Sequence, residues 1–309
     1  MIELLCPKDK TYLTTKDSNY FCKSCNIHYP VIDGVIKLVA EDNKFYEGTY
    51  KNTINYLPKK EYGIALLPIW VVNNGYVWFT RKFIPTGSVV LELGCASGVK
   101  YFGKRYKMIG LDLSFSSLRN LNETYSFCIQ ANASELIPLP DSSIDAVISS
   151  YFWEHLEEQD KRKILKEIYR ILKPGGKIIF LFDVETRNPL INSIKKRHPE
   201  FYNKAFLEQD GHLGYQYPQD NFDLISNNGF KIIDSFGMEK TFFQSPSVYI
   251  KLSNLPSFSG SFFKVINKFS LLGLKPYLAF LRVIDTIFKR ILPDDWSRMF
   301  LLVAQKKKS

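Results

Sequence analysis

Short apolar runs alternate with amphipathic stretches through the middle of the chain. The runs predict strands near 89–93, 107–112, 126–130, 144–149 and 176–182, with later strands at 230–233 and 299–304. Between the fourth and fifth runs, residues 160–172 predict a helix whose apolar positions share one face, and Pro174-Gly175-Gly176 should end it. Alternating strands and helices predict an α/β fold, a parallel sheet with helices on both faces.

The flanking segments follow a different pattern. Residues 41–85 are rich in aromatic residues at loose helical spacing, which suits either an ordinary helix interface or a lid over a ligand.

Residues 277–291 predict an amphipathic helix. Its apolar positions are Tyr277, Phe280, Leu281, Ile284, Ile287, Phe288 and Ile291, and Arg282, Asp285, Thr286 and Lys289 should face the other way. Such a helix suits packing on the domain, a dimer contact, or peripheral contact with an anionic membrane.

Composition narrows the choice of compartment and partner. The chain has 309 residues, 45% of them hydrophobic, which is enough for an α/β domain with accessory segments. It opens with no basic signal-like segment and has no long uncharged apolar run, so we expect a cytoplasmic protein, at most peripheral at the inner membrane surface. The net charge is +10, and residues 241–309 carry 11 Lys/Arg against 3 Asp/Glu, a balance of 11 − 3 = +8.

A glycine-bearing turn follows the first apolar run. The run passes through Glu92 directly into Gly94 and Gly98, where glycines let the backbone pass close to a ligand. The next run ends in Asp112, placed where a carboxylate would bind two ribose hydroxyls. The pair predicts a nucleotide-like ligand at the strand ends.

Four further motifs follow in order, and with them the chain resembles the class I S-adenosylmethionine-dependent methyltransferases of the type 11-like group. They are Gln130-Ala131-Asn132-Ala133, the run from Pro138 to Val147, Glu154-His155-Leu156, and Leu172-Lys173-Pro174-Gly175-Gly176-Lys177. The resemblance covers about 86–236. It implies a seven-stranded Rossmann-like sheet whose last strand returns antiparallel, and S-adenosylmethionine as cofactor. The cofactor-binding residues implied are Glu92, Gly94, Gly98, Asp112, Asn132, Ala133 and Ser150.

Two positions depart from the family pattern. Ala96 replaces the middle glycine of the usual G-x-G-x-G, so we expect the loop to turn elsewhere or to hold Ala96 at negative φ. Asn132 replaces the commoner Asp, but its amide oxygen can still accept from an adenine amino group. A Rossmann-like domain without its cofactor is the alternative interpretation.

The N-terminus carries a separate cysteine pattern. Cys22-x-x-Cys25 follows Cys6 by 16 residues and resembles a zinc ribbon whose first C-P-x-C knuckle has lost a cysteine, while 29–38 resembles the ending of the small zinc-ribbon family that activates methyltransferases. Asp33-Gly34 predicts a hairpin turn, with two short strands covering the ribbon. Zinc is thus a second candidate cofactor. Its expected ligands are Cys6, Asp9, Cys22 and Cys25, with His28 as the alternative fourth ligand and a metal-free ribbon as the alternative state.

The remaining cysteines, Cys95 and Cys128, should be buried packing residues at strand ends. The expected organisation has four parts: a ribbon-like module at 1–40, an aromatic helical linker or lid at 41–85, the cofactor-binding core at 86–240, and a basic amphipathic insertion with the final strand at 241–309.

Candidate catalytic residues lie after the fourth and fifth strands. His155 belongs to Glu154-His155-Leu156, and His212 and Tyr215 lie in a loop that resembles the substrate-side segment of related enzymes. A neutral imidazole suits a general base, although either histidine could instead have a structural role. The expected acceptor is a small molecule, a sugar or a lipid-linked glycan. The alternatives are the guanine of ribosomal RNA, with nucleic acid less favoured as a partner, or no reaction at all in an assembly protein that only binds the cofactor.

Overall fold

Two sheets organise the described part of the chain. The computed structural model describes residues 2–39, 75–96, 98–121, 123–255, 258–272 and 274–307. The strands are β1 (Thr14–Lys16), β2 (Asn19–Cys22), β3 (Ile27–Tyr29), β4 (Val31–Ile32), β5 (Val35–Lys37), β6 (Val89–Leu93), β7 (Lys107–Asp112), β8 (Phe127–Gln130), β9 (Ile144–Ser150), β10 (Leu172–Asp183), β11 (Phe230–Met238) and β12 (Met299–Lys306).

The large sheet has the strand order β11-β12-β10-β9-β6-β7-β8-β5-β4. Strands β8, β7, β6, β9 and β10 are parallel, and β12 inserts antiparallel between β10 and β11. The expected α/β Rossmann-like sheet and its antiparallel last strand are therefore confirmed. The order reverses between β6 and β9, so the carboxyl ends of these strands border the crevice where such sheets bind ligands.

The N-terminal module is joined to this sheet. Strands β1, β2 and β3 form a small antiparallel sheet, and Asp33 and Gly34 turn the β4–β5 hairpin with φ of +49° and +77°. The hairpin does not cover the ribbon as expected, because β5 pairs in parallel with β8 and extends the seven-stranded sheet to nine strands. Leu5 N also donates to the Pro138 carbonyl at 3.0 Å. The module and the core therefore bury a common set of apolar side chains.

Helices cover both faces of the large sheet and build its C-terminal part. They are α1 (Tyr76–Phe83), α2 (Lys100–Arg105), α3 (Phe115–Arg119), α4 (Glu158–Ile171), α5 (Pro189–Arg197), α6 (Pro199–Tyr202), α7 (Pro218–Asn227), α8 (Pro246–Leu252), α9 (Phe258–Leu272) and α10 (Leu274–Phe288), with 3₁₀ turns at Trp153–His155 and Asp294–Trp296 and a π-helical segment at Asn203–Glu208. Of the aromatic 41–85 segment only 75–85, which includes α1, lies within the described residues.

The insertion departs from its expected orientation. In α10 the buried positions include Leu278, Leu281 and Asp285, whereas Phe280 and Ile287 are exposed. The prediction that Asp285 lies on the polar, outward face of this helix is therefore wrong. Its carboxylate is buried because it accepts the Glu239 backbone N–H at 2.7 Å, directly after the end of β11. Within the described residues, no helix is long and apolar enough to cross a membrane.

Candidate functional site

The glycine turn after β6 has three residues at positive φ. Gly94 lies at +60°, Ala96 at +40° and Gly98 at +55°. The expectation that Ala96 would avoid positive φ is wrong. Its backbone N–H donates to Asp112 Oδ2 at 2.9 Å, and this bond to the end of β7 offsets the strain of a left-handed alanine.

The glycines at 94 and 98 are also required by packing. A Cβ on Gly94 would lie 2.6 Å from the ring of Phe152, which follows β9. A Cβ on Gly98 would lie 2.6 Å from Leu121 Cδ2 and 2.9 Å from Tyr125 Cζ. Backbone at both positions therefore approaches its neighbours more closely than any other residue type allows.

The other expected cofactor residues lie along the same edge of the sheet. Asp112 ends β7 and pairs with Gln130 of β8, while Ser150 ends β9. Asp112 is preorganised, because its Oδ1 accepts the Ser114 N–H at 2.9 Å while its Oδ2 holds the glycine turn. Asn132 and the buried Ala133 follow β8, where Asn132 Oδ1 caps the Ser134 N–H at 3.1 Å. The strand ends thus bring Gly94, Asp112, Asn132 and Ser150 to neighbouring positions.

Glu92 is a buried residue of β6, directly before the glycine turn. It is 2% exposed, and its carboxylate accepts hydrogen bonds from the hydroxyls of Tyr76, at 3.2 Å, and Tyr125. Tyr125 Oη in turn accepts the Val99 N–H at 3.0 Å, at the start of α2. Burial raises the pKa of Glu92 to about 7. Glu92 is therefore hydrogen-bonded to Tyr76 of α1 directly and to the residue after Gly98 through Tyr125.

The three expected catalytic residues are brought together beyond β9 and β10. The rings of His155 and His212 are 5.3 Å apart, and His212 stacks on Tyr215 at 4.8 Å. Burial lowers the pKa of His212 to about 4 and also lowers the pKa of His155, so both imidazoles are neutral at pH 7. Burial raises the pKa of Tyr215 well above its usual value, so its phenol stays protonated.

A buried lysine holds the His212 loop in place. Lys161 Nζ donates to the Gly214 carbonyl at 2.6 Å, and Gly214 N donates to the Glu154 carbonyl at 3.1 Å. A Cβ on Gly214 would lie 1.7 Å from the Leu156 carbonyl oxygen, so only glycine lets the loop lie against the 153–155 turn. Sequence reasoning missed Lys161 because its position in α4 resembles any solvated helix position.

Sequence reasoning also missed the carboxylates beneath the histidines. Glu154 is 1% exposed, and its Oε1 accepts the Asp183 N–H at 3.4 Å. Asp183 Oδ2 pairs with the buried guanidinium of Arg298 at 2.9 Å, and Arg298 also pairs with Glu239 at 2.6 Å. Asp183 directly follows an apolar strand, as Asp112 does, and this shared position was the signal that could have revealed it.

The cysteines of the ribbon converge as the spacing predicted. Cys6 Sγ and Cys25 Sγ lie 3.5 Å apart, and Cys22 Sγ lies 3.3 Å from Asp9 Oδ2. Ligand atoms of all four residues lie within 4.8 Å of one another, whereas the exposed His28 stacks on Phe21 at 4.4 Å. Three thiols and a carboxylate fit the donor set of a closed zinc site, in which Zn–S bonds are about 2.3 Å. Cys95 and Cys128 are buried, as expected.

Comparisons with known proteins agree with this geometry. The family model described as a methyltransferase domain matches residues 91–180. The chain is 30% identical over 185 residues to ubiquinone/menaquinone biosynthesis C-methyltransferase UbiE of Escherichia coli O1:K1 / APEC, covering 49% of this chain and 70% of the relative. It is 36% identical over 110 residues to tRNA (carboxymethyluridine(34)-5-O)-methyltransferase ALKBH8 of Macaca fascicularis, covering 34% of this chain and 16% of that protein.

A solved structure supports the same fold. Phosphoethanolamine N-methyltransferase 2 of Haemonchus contortus, in complex with phosphomonomethylethanolamine and S-adenosylhomocysteine, superposes with a TM-score of 0.50 at 18% identity. The match covers 89% of this chain and 62% of that one, less than two thirds of its length. At this identity the similarity concerns the fold alone.

Proposed function

Because this chain belongs to the class I S-adenosylmethionine-dependent methyltransferases, we propose that it methylates a sugar- or lipid-linked acceptor held at an anionic membrane surface. The cofactor would lie over the glycine turn, with its ribose at Asp112, as the strand-end geometry favours. The observation that carries the membrane part is an apolar surface on the C-terminal insertion, here called the outer face. It comprises Phe262, Val265 and Phe269 of α9 with Phe280 and Ile287 of α10.

The outer face is exposed although its helix is well packed on the other side. Phe263 and Ser270 of α9 are buried, while Phe262 is 50% exposed and Phe269 70% exposed. Phe262, Val265 and Phe269 recur at i, i+3 and i+7, which places them on one side of the helix. Exposed large apolar side chains along one side of a helix are typical of an interaction site.

Charge favours an anionic lipid surface as the partner. Lys264 and Lys268 are exposed side chains of α9, and residues 241–309 carry an excess of +8. Burying one phenylalanine side chain contributes roughly 1.5–3 kcal/mol, and each basic side chain near an anionic leaflet adds about 1 kcal/mol. Two phenylalanines and two lysines together support salt-sensitive, reversible attachment.

The acceptor's reacting group would lie beside His212, at the carboxyl edge next to the cofactor. Methyl transfer from a sulfonium is an in-line displacement, so the protein mainly holds donor and acceptor in line. A histidine with a pKa of about 4 is a weak base. His212 would therefore orient an acceptor hydroxyl as a hydrogen-bond acceptor, with Tyr215 stacked behind it to fix the ring.

The ribbon would hold one zinc through Cys6, Asp9, Cys22 and Cys25. Zinc supplies structural cross-linking when bound to such a site. Leu38 N donates to the Gln130 carbonyl at 2.9 Å, directly before the loop of Asn132. The module would thus support the adenine end of the cofactor site from its own edge of the sheet.

Vesicle sedimentation tests the membrane part. Purified protein should sediment with phosphatidylglycerol-containing vesicles but not with pure phosphatidylcholine vesicles, and high salt should release it. Phe262→Ser with Phe269→Ser should lower the bound fraction at least tenfold. Ile32→Ser is the matched control, because Ile32 is an exposed apolar side chain on β4, at the opposite edge of the large sheet from β11, which α10 contacts. Equal binding by the double variant, or equal binding to neutral vesicles, contradicts the proposal.

A transfer assay with labelled S-adenosylmethionine identifies the acceptor class. Membrane lipid extract should take up labelled methyl, and mild acid should release the label in a water-soluble sugar. A polyprenyl quinone is the second candidate, because the Escherichia coli relative is named for ubiquinone/menaquinone biosynthesis, and its label would stay in the organic phase. Label in RNA, or no transfer at all, would contradict both and favour the nucleic-acid or the non-catalytic alternative.

A further inference from the structure

Beyond β9 and β10, three metal-ligating side chains converge outside the proposed cofactor cradle. Glu154, His155 and His212 each offer a ligand atom, and these atoms all lie within 4.8 Å of one another. Glu154 and His155 come from the 153–155 turn and His212 from the loop after the π-helical segment. Elements far apart in sequence therefore bring two imidazoles and one carboxylate to a single point.

Buried polar atoms of Glu154, His212 and Asp183 have no hydrogen-bond partner among the described residues. Glu154 is 1% exposed, yet its Oε2 is buried with no hydrogen-bond partner among the described residues, and the same holds for His212 Nδ1. Asp183 Oδ1, on the next strand end, is a third such atom. Buried polar atoms are almost always satisfied in folded proteins, so three of them in one region indicate a missing ligand.

We propose that Glu154, His155 and His212 form a binding site for a divalent transition-metal cation. Two imidazoles and one carboxylate are a donor set that suits Mn²⁺, Fe²⁺, Co²⁺ and Zn²⁺. Metal–ligand bonds of about 2.1 Å at tetrahedral or octahedral angles place ligand atoms about 3.0–3.4 Å apart, so closure onto the ion requires each ligand atom to shift by up to about 1 Å. The Asp183 carboxylate adds negative charge at the same strand end.

The surroundings resemble those of metal-ligating histidines. His155 Nδ1 lies 2.9 Å from the Gly211 carbonyl oxygen, the outer contact that usually orients such a ring. The His212 ring is held by stacking on Tyr215, and its loop is pinned by Lys161 and Gly214. The ligands are therefore held in place before the ion arrives.

A cation here would lie at the edge where the acceptor is expected and would bind the acceptor oxygen in place of the His212 hydrogen bond, because a metal-bound neutral imidazole has no second lone pair. This role depends on the proposed function, whereas metal binding itself does not. The site also differs in donor type from the ribbon, which offers three thiols. Cobalt bound at the ribbon would therefore show thiolate-to-metal absorption, whereas cobalt bound by Glu154, His155 and His212 would not.

Cobalt binding to the full chain tests the proposal. Apo protein is titrated with Co²⁺, and bound metal is measured by equilibrium dialysis while the near-ultraviolet spectrum reports thiolate-to-cobalt charge transfer. We expect more cobalt to be bound than the thiolate-to-cobalt absorption accounts for, and the excess is the cobalt bound at Glu154, His155 and His212. This population should persist in Cys22→Ser and bind at least tenfold more weakly in His212→Ala and in the volume-conserving Glu154→Gln.

His198→Ala is the matched control, since His198 lies at the end of α5, and it should bind cobalt as the unmodified chain does. Circular dichroism shows which variants are folded. The proposal is overturned if all bound cobalt in the unmodified protein shows thiolate absorption, a result that needs no variant. It is equally overturned if folded His212→Ala or Glu154→Gln binds with undiminished affinity. Cobalt bound at this site without any methyl transfer would leave the metal site standing and remove the proposed function.

Discussion

Gly98→Ala should weaken both the fold and the cofactor site, because two separate constraints meet at this position. Gly98 lies at φ +55°, where an alanine costs about 1–2 kcal/mol. Its added Cβ would lie 2.6 Å from Leu121 Cδ2 and 2.9 Å from Tyr125 Cζ. The Leu121 methyl can rotate away, but the Tyr125 hydroxyl is bonded to both Glu92 and the Val99 N–H, so the ring resists displacement.

Overpacking of this kind typically destabilises the fold by about 1–3 kcal/mol. Replacing glycine by alanine also lowers the conformational entropy of the unfolded chain, which stabilises the fold by about 0.4–1 kcal/mol. The sum is a loss of about 1–5 kcal/mol in the free energy of unfolding. Affinity for S-adenosylmethionine should fall at least tenfold, because the turn must shift where it meets the ligand.

Urea unfolding and calorimetric titration measure the two effects. Ala96→Gly is the control in the same turn: it relieves a left-handed alanine at φ +40° and should raise the free energy of unfolding by up to about 1 kcal/mol. A free energy of unfolding for Gly98→Ala within ~0.5 kcal/mol of the unmodified protein would show that neither constraint acts at this position, as would an Ala96→Gly variant that is destabilised as much as Gly98→Ala.

Three further outcomes are expected. Burial raises the pKa of Glu92 from 4.5 to about 7, so the stability that this group contributes is fully present below pH 4.5 and is lost as the pH rises through 7. Glu92→Gln should remove this loss, about 3 kcal/mol between pH 4.5 and 7, and the same pH dependence of urea unfolding in the variant and the unmodified protein would contradict this. Cys22→Ser should release zinc and lower the melting temperature, and elemental analysis that finds no zinc in the unmodified protein would show the ribbon to be held by packing alone. His212→Ala should lower kcat while the Kd for S-adenosylmethionine changes less than twofold, whereas an equal loss of cofactor affinity would place His212 in the cofactor site.

The sheet could be predicted from sequence because each strand is a short apolar run bounded by turn residues. The glycine turn, Asp112 and the histidine cluster followed from the same pattern, since parallel strands bring their carboxyl ends to one edge. The knuckle spacing predicted that Cys6, Cys22 and Cys25 would lie together, and Asp9 lies beside these thiols whereas His28 is not in the cluster; zinc binding there stays a prediction.

The sequence pattern did not predict the conformation of Ala96 or the burial of Asp285 and Lys161, because tertiary contacts determine them. Ala96 adopts positive φ because a distant carboxylate, that of Asp112, holds its N–H. Asp285 is buried because it caps β11, and Lys161 is buried because it pins a loop 53 residues away. In each case the partner lies far along the chain, so local periodicity carries no signal of it.

Calorimetric titration of S-adenosylmethionine into the full chain and into Asp112→Ala shows whether the ribose of the cofactor lies at the end of β7. We expect binding to the unmodified protein and a loss in Asp112→Ala on the order of 1.5–3 kcal/mol for each charge-assisted hydrogen bond removed, tenfold or more in Kd. Asp141→Ala, which removes an exposed carboxylate far from the turn, should bind as the unmodified protein does. Equal affinity in Asp112→Ala and the unmodified protein would contradict the assignment of this edge as the cofactor site.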